Sequence, residues 1–195
     1  MLKRSFDIVV SLAGTVLLFI PLLIVAALIK FDSSGPVFFK QDRVGKNGKI
    51  FKLYKLRTMS AGADKIWKDN FKLVNLSGYF FQSPVDPRIT RMGKLLRRGI
   101  DELPQFINVL KGEMSLVGPR PEIPEIVGLY TGKQRQLLQV LPGLVCLSSI
   151  KGRGALSTEQ IINYDLDYLS ERSFLLDIKI MLIALWVSIT GKGAR

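Results

Sequence analysis

The chain of 195 residues contains no histidine and a single cysteine, Cys146. The lack of histidine excludes a Ser-His-Asp triad and removes the commonest general base and transition-metal ligand. One cysteine excludes an intramolecular disulfide and a cysteine-rich zinc site. Acidic residues are also few, since 16 Asp and Glu stand against 28 Lys and Arg, for a formal charge of +12. Any chemistry must therefore use carboxylates, basic groups, hydroxyls or a hard metal ion.

The chain combines this positive charge with a positive mean hydropathy of +0.25. A soluble nucleic-acid-binding domain would be basic but less apolar, so we expect no nucleic-acid partner. The apolar character is concentrated in 22 consecutive uncharged residues from Ile8 to Ile29. As a helix this segment would measure about 33 Å, enough to cross a hydrocarbon core of about 30 Å. It is too long for a signal peptide, and no small-residue cleavage site follows it.

Two features of this segment leave its membrane topology open. Pro21, near the middle, predicts a kink because proline removes one helical hydrogen bond. Basic residues flank both ends, beginning with Lys3 and Arg4 on one side and Lys30 on the other. The positive-inside tendency places both flanks in the cytoplasm. Residues 1–31 therefore form either a re-entrant helix that returns to the same face or an ordinary kinked transmembrane helix.

Residues 32–195 are expected to form one membrane-associated unit on the cytoplasmic face, mainly α with a small β-hairpin. Aromatic and β-branched residues predict the hairpin over 36–57, with Asn47-Gly48 as a type I′ turn. Gly99 and Gly112 are expected to end two helices, and Ser157-Thr-Glu-Gln160 is a capping box. The predicted helices cover residues 93–98, 101–111, 122–140 and 158–171, and residues 143–156 are expected to be irregular.

The last apolar run, Ile180 to Ile189, is too short to span a membrane. It carries Trp186 and has charged residues on both sides, which is typical of an amphipathic helix lying at the membrane interface. A buried core helix would explain the same pattern. Ser173 is expected to cap this helix.

The adjacent carboxylates Asp101 and Glu102 are the first candidates for chemistry. Asp101 could attack phosphorus or bind Mg²⁺, which takes one or two carboxylates together with substrate phosphates. Glu102 could be a second metal ligand or a proton carrier. Acids at the start of a helix also stabilise its first turn, so a purely structural role remains the alternative.

Several basic residues are candidates for binding substrate phosphates. Arg120 lies between two prolines that fix the backbone, and arginine suits bidentate phosphate binding. Arg97 precedes the acid pair, and Lys55 and Arg57 share one face of the second hairpin strand. Arg153 lies between two glycines that would let a phosphate approach closely. The alternatives are a basic surface facing anionic lipid, an edge strand protected by charge, and a plain basic loop.

The segment IDELPQFINVLKGEMSLVGPRPE, residues 100–122, closely resembles the signature of bacterial sugar transferases. These are the monotopic phosphoglycosyl transferases that begin glycan assembly on polyprenyl phosphate. The segments QDRVGKNGKIFKLYKLRTM, DPRITRMGKLLRR and FLLDIKIMLIAL are similar to the same family. The resemblance extends from about residue 3 to 190 and corresponds to the minimal catalytic core.

The resemblance implies that a UDP-sugar binds with Mg²⁺ and that Asp101 attacks its β-phosphorus. UMP then leaves, the phosphosugar stays on the enzyme, and polyprenyl phosphate accepts it in a second step of a ping-pong reaction. It further implies metal or proton handling by Glu102 and phosphate contacts from Arg120 and Arg97. The resemblance also implies that the first helix is a re-entrant anchor kinked at Pro21. It implies further that the protein is a homodimer and lies at the bacterial inner membrane. Such a step begins exopolysaccharide, O-antigen or glycoprotein glycan assembly.

One stretch departs from the family pattern. Where the family has Pro-Gly-Ile-Thr-Gly-Trp-x-Gln-x-Asn-Gly-Arg, this chain has PGLVCLSSIKGR, residues 142–153. The loop is therefore expected to recognise a different sugar or nucleotide, or to work less well than the family's loop. An inactive membrane-associated scaffold that retains the fold is the alternative hypothesis.

Overall fold

The computed structural model describes residues 2–63, 86–152 and 156–190. Across these residues the fold is mostly helical, with one antiparallel hairpin and one short parallel strand pair. The α-helices are α1 (Leu2–Asp32), α2 (Arg91–Leu96), α3 (Phe106–Lys111), α4 (Pro124–Val127), α5 (Leu147–Gly152), α6 (Thr158–Glu171) and α7 (Phe174–Thr190). The strands are β1 (Phe38–Val44), β2 (Ile50–Leu56), β3 (Ser115–Val117) and β4 (Gly143–Val145).

The apolar N-terminal segment forms one continuous helix, as predicted. By length and composition α1 could cross a membrane, and almost none of its most apolar stretch is buried. Pro21 lies inside this helix and has no N–H to donate to the carbonyl of Leu17. A kink at Pro21 and re-entry into the same leaflet stay predictions.

Both ends of α1 are attached to the same folded body. At its start, Lys3 forms an ion pair with Asp177 of α7 and donates to the carbonyl of Val117 at 3.0 Å. At its end, the carboxylate of Asp32 accepts a hydrogen bond from the N–H of Met92 at 3.1 Å. The intervening apolar surface is exposed, including Val9, Leu12, Val16, Leu17, Phe19, Ile20, Leu23 and Ile24.

The predicted hairpin is confirmed. Strands β1 and β2 pair antiparallel, with Phe38 opposite Leu56 and Val44 opposite Ile50. Asn47 and Gly48 at the tip have φ values of 58° and 77°, the positive values that a type I′ turn requires.

The short helices near the acid pair match the predictions closely. Helix α2 begins two residues earlier than expected because the Thr90 side chain caps it by accepting from the N–H of Gly93. The predicted helix 101–111 begins as a 3₁₀ helix, Ile100–Gln105, and continues as α3. Gly99 and Gly112 have φ values of 115° and 81° at the ends expected for them.

Two predictions for the region after residue 120 are wrong. The expected helix over 122–140 is reduced to α4 and a 3₁₀ helix, Gln134–Gln139. Gly128 and Gly132 lie between these pieces, and glycine weakens a helix. The segment predicted as irregular is regular over residues 143–152, because these contain β4 and α5, and β4 pairs in parallel with β3. This pairing joins residues far apart in sequence, so local patterns gave no signal for it.

The C-terminal helices follow the predicted order. Helix α6 begins with the complete capping box of Ser157 and Gln160. Ser173 caps α7 by accepting from the N–H of Leu176 at 3.2 Å. One side of α7 is buried, whereas Leu182, Leu185, Trp186 and Ile189 are exposed. An interfacial position of α7 stays a prediction.

The main core lies between the hairpin, the parallel strands and the last two helices. Its buried members are Phe51, Leu53, Val109, Met114, Leu116, Val117, Tyr168 and Ile180. A second cluster joins Ile29 of α1, Leu56 of β2 and Leu96 of α2. These two clusters fix the hairpin and α2 around the acid pair.

Candidate active site

Asp101 and Glu102 lie on the wall of a cavity of about 920 Å³. They occupy the first turn of the 3₁₀ helix, directly after Gly99 turns the chain with its positive φ. Asp101 is 9% exposed, while the side chain of Glu102 is 29% exposed. The pair is therefore accessible from the cavity, with Asp101 the more enclosed of the two.

Strand β2 supplies a cation to this pair. The ammonium of Lys55 lies 2.9 Å from Oε1 of Glu102, and both side chains are partly exposed. Because Lys55 also lines the cavity, it neutralises one carboxylate at the place where a negatively charged substrate would meet it.

Helix α2 ends with a second cation beside the pair. Burial lowers the pKa of Arg97, and the nearby carboxylates of Asp101 and Asp86 oppose this effect. Its Nε donates to the hydroxyl of Thr58 at 3.4 Å. Arg97 and Asp101 are thus close enough to interact electrostatically, and phosphate binding by Arg97 stays a prediction.

Arg120 reaches the cavity from the Pro-Arg-Pro loop that follows β3. Its Nε lies 3.5 Å from Oε1 of Glu122, which is 2% exposed. Burial opposes the charge of Arg120, but Glu122 and, more weakly, Glu102 raise its pKa. Arg120 and the acid pair thus line the same cavity.

The loop carrying Arg120 is possible because two glycines bring β3 and β4 together. A Cβ atom on Gly143 would lie 2.1 Å from the backbone nitrogen of Gly118, and one on Gly118 would lie 2.5 Å from the carbonyl oxygen of Leu141. Only glycine fits such an approach of two backbones. Gly143 is one of the residues that the divergent stretch 142–153 shares with the family pattern.

The structure gives Arg57 a set of backbone partners that sequence reasoning did not foresee. Its guanidinium donates to the carbonyls of Ile29 and Ser33, at 3.2 and 2.7 Å, and to that of Ser34. Ile29 lies in the last turn of α1, and Ser33 and Ser34 follow it, so Arg57 caps the end of α1. Arg57 also lines the cavity, and phosphate binding by it stays a prediction. Arg153 lies outside the described residues.

Three residues of this region were missed at the sequence level. Arg88 lines the cavity and forms an ion pair with Asp86, with Nη2 and Oδ2 2.6 Å apart. The side-chain hydrogen bond from Arg88 lowers the pKa of Asp86. The Asp-Pro-Arg spacing could have revealed this pair, but Asp165, which contacts the backbone of Arg120, gave no comparable signal.

The charge of the cavity wall is strongly positive. The described residues that line it include the two acids and seven bases, namely Lys40, Arg43, Lys55, Arg57, Arg88, Arg97 and Arg120. The same cavity is lined by apolar residues of α7, among them Met181, Leu182 and Leu185. The wall therefore suits a ligand that joins phosphate groups to an apolar part.

The donor set around the acid pair suits a hard cation only in part. No cluster of three or more acidic or cysteine side chains occurs within residues 2–63, 86–152 and 156–190. Asp101 and Glu102 supply carboxylate oxygens, the type that Mg²⁺ prefers, and Mg²⁺ commonly takes its other ligands from substrate phosphates and water. The residues fit a magnesium ion that binds together with a phosphate-bearing substrate.

The chain is similar to several bacterial proteins over nearly its whole length. It is 41% identical over 195 residues to the galactosyl transferase CpsE of Streptococcus agalactiae serotype III (strain NEM316), covering 99% of this chain and 43% of that protein. It is 38% identical to the uncharacterized sugar transferase EpsL of Bacillus subtilis (strain 168), covering 100% of this chain and 90% of EpsL.

A third relative carries a more specific name. It is the UDP-glucose:undecaprenyl-phosphate glucose-1-phosphate transferase of Escherichia coli (strain K12), 37% identical over 207 residues, covering 100% of this chain and 41% of that protein. The chain thus spans less than half of CpsE and of the Escherichia coli transferase, and 90% of EpsL. Because the model of bacterial sugar transferases matches residues 1–191, the chain belongs to the bacterial sugar transferase family.

Proposed function

We propose that this protein transfers a phosphosugar from a UDP-sugar to undecaprenyl phosphate, giving undecaprenyl diphosphosugar and UMP. The observation that carries the proposal is the position of Asp101, on the wall of a cavity that also presents seven basic side chains and apolar residues of α7. Basic groups suit the diphosphate of the donor, and the apolar wall suits a lipid acceptor. The named activity of the Escherichia coli relative supports the same pair of substrates.

In the first step, a carboxylate oxygen of Asp101 attacks the β-phosphorus of the UDP-sugar. The bond between that phosphorus and the bridging oxygen breaks, and UMP leaves with the bonding electrons. Arg97 and Arg120 neutralise charge on the phosphoryl oxygens, an electrostatic role to which arginine is suited. The phosphosugar remains as an acyl phosphate on Asp101.

In the second step, a phosphate oxygen of undecaprenyl phosphate attacks the same phosphorus. The bond to Asp101 breaks, the carboxylate is regenerated and the lipid diphosphosugar forms. Asp101 and Glu102 would hold Mg²⁺, which supplies charge neutralisation of the diphosphate when it is bound. Lys55 keeps Glu102 in place through their 2.9 Å contact.

Asp101→Asn tests the nucleophile, because the amide keeps the shape of the side chain but cannot form the acyl phosphate. We expect loss of UMP release from a panel of UDP-sugars in nanodiscs containing undecaprenyl phosphate. Intact mass should show a phosphosugar adduct on the wild type when the acceptor is omitted, and none on the variant. Asp42→Asn, which changes an exposed carboxylate paired with Lys52, is the matched control. A wild type that releases no UMP from any donor would favour the scaffold hypothesis.

Removal of divalent cations tests the magnesium proposal separately. We expect EDTA to abolish UMP release and added Mg²⁺ to restore it. Full activity after exhaustive chelation would contradict a role for the metal and leave the role of Asp101 intact.

We further propose that α1 re-enters the cytoplasmic leaflet of the bacterial inner membrane. A straight helix of 22 apolar residues would separate its ends by about 33 Å across the bilayer. Yet Lys3 at one end and Asp32 at the other both contact the same body. A helix that bends within one leaflet reconciles these contacts with the exposed apolar surface between them. The homodimer implied by the family resemblance stays a prediction.

Cysteines introduced at Leu2 and Ser34 report the two ends of α1. In intact cells we expect both to resist a membrane-impermeant maleimide and both to react after lysis. The wild type gives the background, since Cys146 is buried. Reaction of the cysteine at position 2 in intact cells would show that α1 spans the membrane.

A further inference from the structure

Asp165 lies beneath the Pro-Arg-Pro loop, on helix α6. It is 2% exposed, and it is not among the described residues that line the cavity. Its Oδ2 accepts a hydrogen bond from the backbone N–H of Arg120 at 2.6 Å. Its Oδ1 accepts one from the hydroxyl of Ser148 at 3.3 Å. One buried carboxylate thus joins two segments that do line the cavity, the loop after β3 and helix α5.

We infer that Asp165 is a positioning residue for phosphosugar transfer, because through the backbone of Arg120 it sets where the Arg120 guanidinium meets the donor diphosphate. The inference rests on the proposed function. Asp165 itself does not touch the substrate, so its effect passes through the loop.

The carbonyls on both sides of Arg120 are already held. That of Pro119 accepts from the N–H of Gly143 at 2.8 Å, and that of Pro121 accepts from Nη1 of Arg43 at 2.9 Å. Pro119 and Pro121 carry no N–H, so Arg120 supplies the one backbone donor of this tripeptide. Oδ2 of Asp165 accepts from that donor at 2.6 Å, which is a short hydrogen bond. Removing the acceptor would leave the Arg120 N–H without this partner and let the backbone shift between the two held carbonyls.

The side chain of Arg120 is held separately. Glu122, whose carboxylate lies 3.5 Å from Nε of Arg120, is itself 3.6 Å from Nη1 of Arg43. Asp165 therefore fixes the backbone of Arg120 while Glu122 faces its guanidinium. Displacement of such a group by about 1 Å can lower a rate about a hundredfold, so the backbone contact bears directly on the reaction.

Asp165→Ala, made in the full chain in nanodiscs, tests the inference. We expect the KM for the UDP-sugar to rise and kcat/KM for it to fall by about tenfold to a hundredfold. Asp165→Asn retains an oxygen that accepts from the Arg120 N–H, and should stay within about fivefold of the wild type. If the alanine variant does not fold, Asp165→Ser serves instead, because its shorter hydroxyl cannot replace the 2.6 Å contact.

Asp177→Ala is the matched control. Asp177 is another buried carboxylate, 4% exposed, which accepts from the hydroxyl of Tyr168 at 2.7 Å and belongs to the attachment of α1. Loss of folded protein lowers kcat but leaves KM unchanged, so this variant should keep the KM of the wild type for the UDP-sugar. An unchanged KM in Asp165→Ala, or an equal rise in both alanine variants, would overturn the inference.

Hydrogen–deuterium exchange provides a readout that needs no turnover. Residues 119 and 121 are prolines and have no exchangeable amide. In a peptide across the loop, the Arg120 amide is therefore separated from its nearest exchangeable neighbours, those of Gly118 and Glu122. We expect it to exchange at least about tenfold faster in Asp165→Ala than in the wild type or Asp177→Ala. Equal exchange would overturn the contact itself. An inactive wild type with normal protection would instead overturn the proposed function, and with it any role of Asp165 in transfer.

Discussion

The ammonium of Lys55 and the carboxylate of Glu102 meet at 2.9 Å, although 47 positions separate them in the sequence. The contact connects the end of strand β2 to the acid pair at the start of the 3₁₀ helix. Both side chains are partly exposed, so the pair contributes little to stability, about 1 kcal/mol at most. Because the pair lies on the cavity wall, we expect Lys55 instead to neutralise the charge of Glu102 where the donor diphosphate binds.

Lys55→Met should therefore impair activity more than stability. Without the ammonium, the carboxylate of Glu102 repels the donor diphosphate, and we expect kcat/KM for the UDP-sugar to fall about tenfold or more. The thermal unfolding midpoint should change little. Lys52 lies on β2 like Lys55 but forms an exposed ion pair with Asp42 of β1, so Lys52→Met should leave kcat/KM unchanged. Equal losses in the two variants would contradict the prediction.

Arg57→Met should destabilise the fold. The variant leaves the last carbonyls of α1 without their buried donor, so we expect the free energy of unfolding to fall by about 3 kcal/mol. Thermal unfolding in detergent measures this loss. Arg91→Met, which changes an exposed arginine on α2, should have little effect. A stable Arg57→Met protein with a raised KM for the UDP-sugar would instead assign Arg57 to phosphate binding.

Gly143→Ala should prevent the close approach of β3 and β4. The new Cβ would lie 2.1 Å from the nitrogen of Gly118 and 2.5 Å from the carbonyl oxygen of Val145, both of them backbone atoms. We expect a loss of more than about 3 kcal/mol, seen as a much lower unfolding midpoint or as aggregation. Gly132→Ala, with open space at its Cβ, should be neutral or slightly stabilising. Similar midpoints for the two variants would show that the strand pair tolerates a side chain.

Because of Asp165, we expect the free energy of unfolding to fall as the pH rises. Burial raises the pKa of Asp165 to about 7, with Glu122 adding to the effect and the Arg120 N–H opposing it. The folded state therefore holds this proton to a higher pH than the unfolded chain, where the pKa is about 3.9. The contribution of this proton to the free energy of unfolding is fully present below about pH 4 and is lost as the pH rises to about 7.

Comparison with Asp165→Asn isolates this effect. The unfolding midpoint of the variant relative to the wild type should rise by several degrees from pH 5 to about pH 8 and then level off, because the amide does not titrate. Parallel curves for the two proteins over this range would contradict the raised pKa.

Local features of the sequence predicted the elements that depend on near neighbours. The long apolar run predicted α1, the Asn47-Gly48 pair predicted the hairpin, and the capping box at Ser157 predicted α6. The adjacent acids and the Pro-Arg-Pro loop identified Asp101 and Arg120 as candidates before any geometry was known. Each of these signals is contained within a short stretch of chain, where periodicity, turn chemistry and capping act.

The sequence by itself determined that chemistry here cannot rest on histidine and that one segment is apolar enough for a membrane. It also limited the reactive groups to carboxylates, basic groups, hydroxyls or a hard metal ion. Only the tertiary structure decided which of them meet. The pairing of β3 with β4, the capping of α1 by Arg57 and the contact of Asp165 with the Arg120 backbone all join distant parts of the chain. Such contacts form because a buried charged or backbone group without a hydrogen-bond partner costs free energy. Which partner is near enough depends on how the whole chain packs.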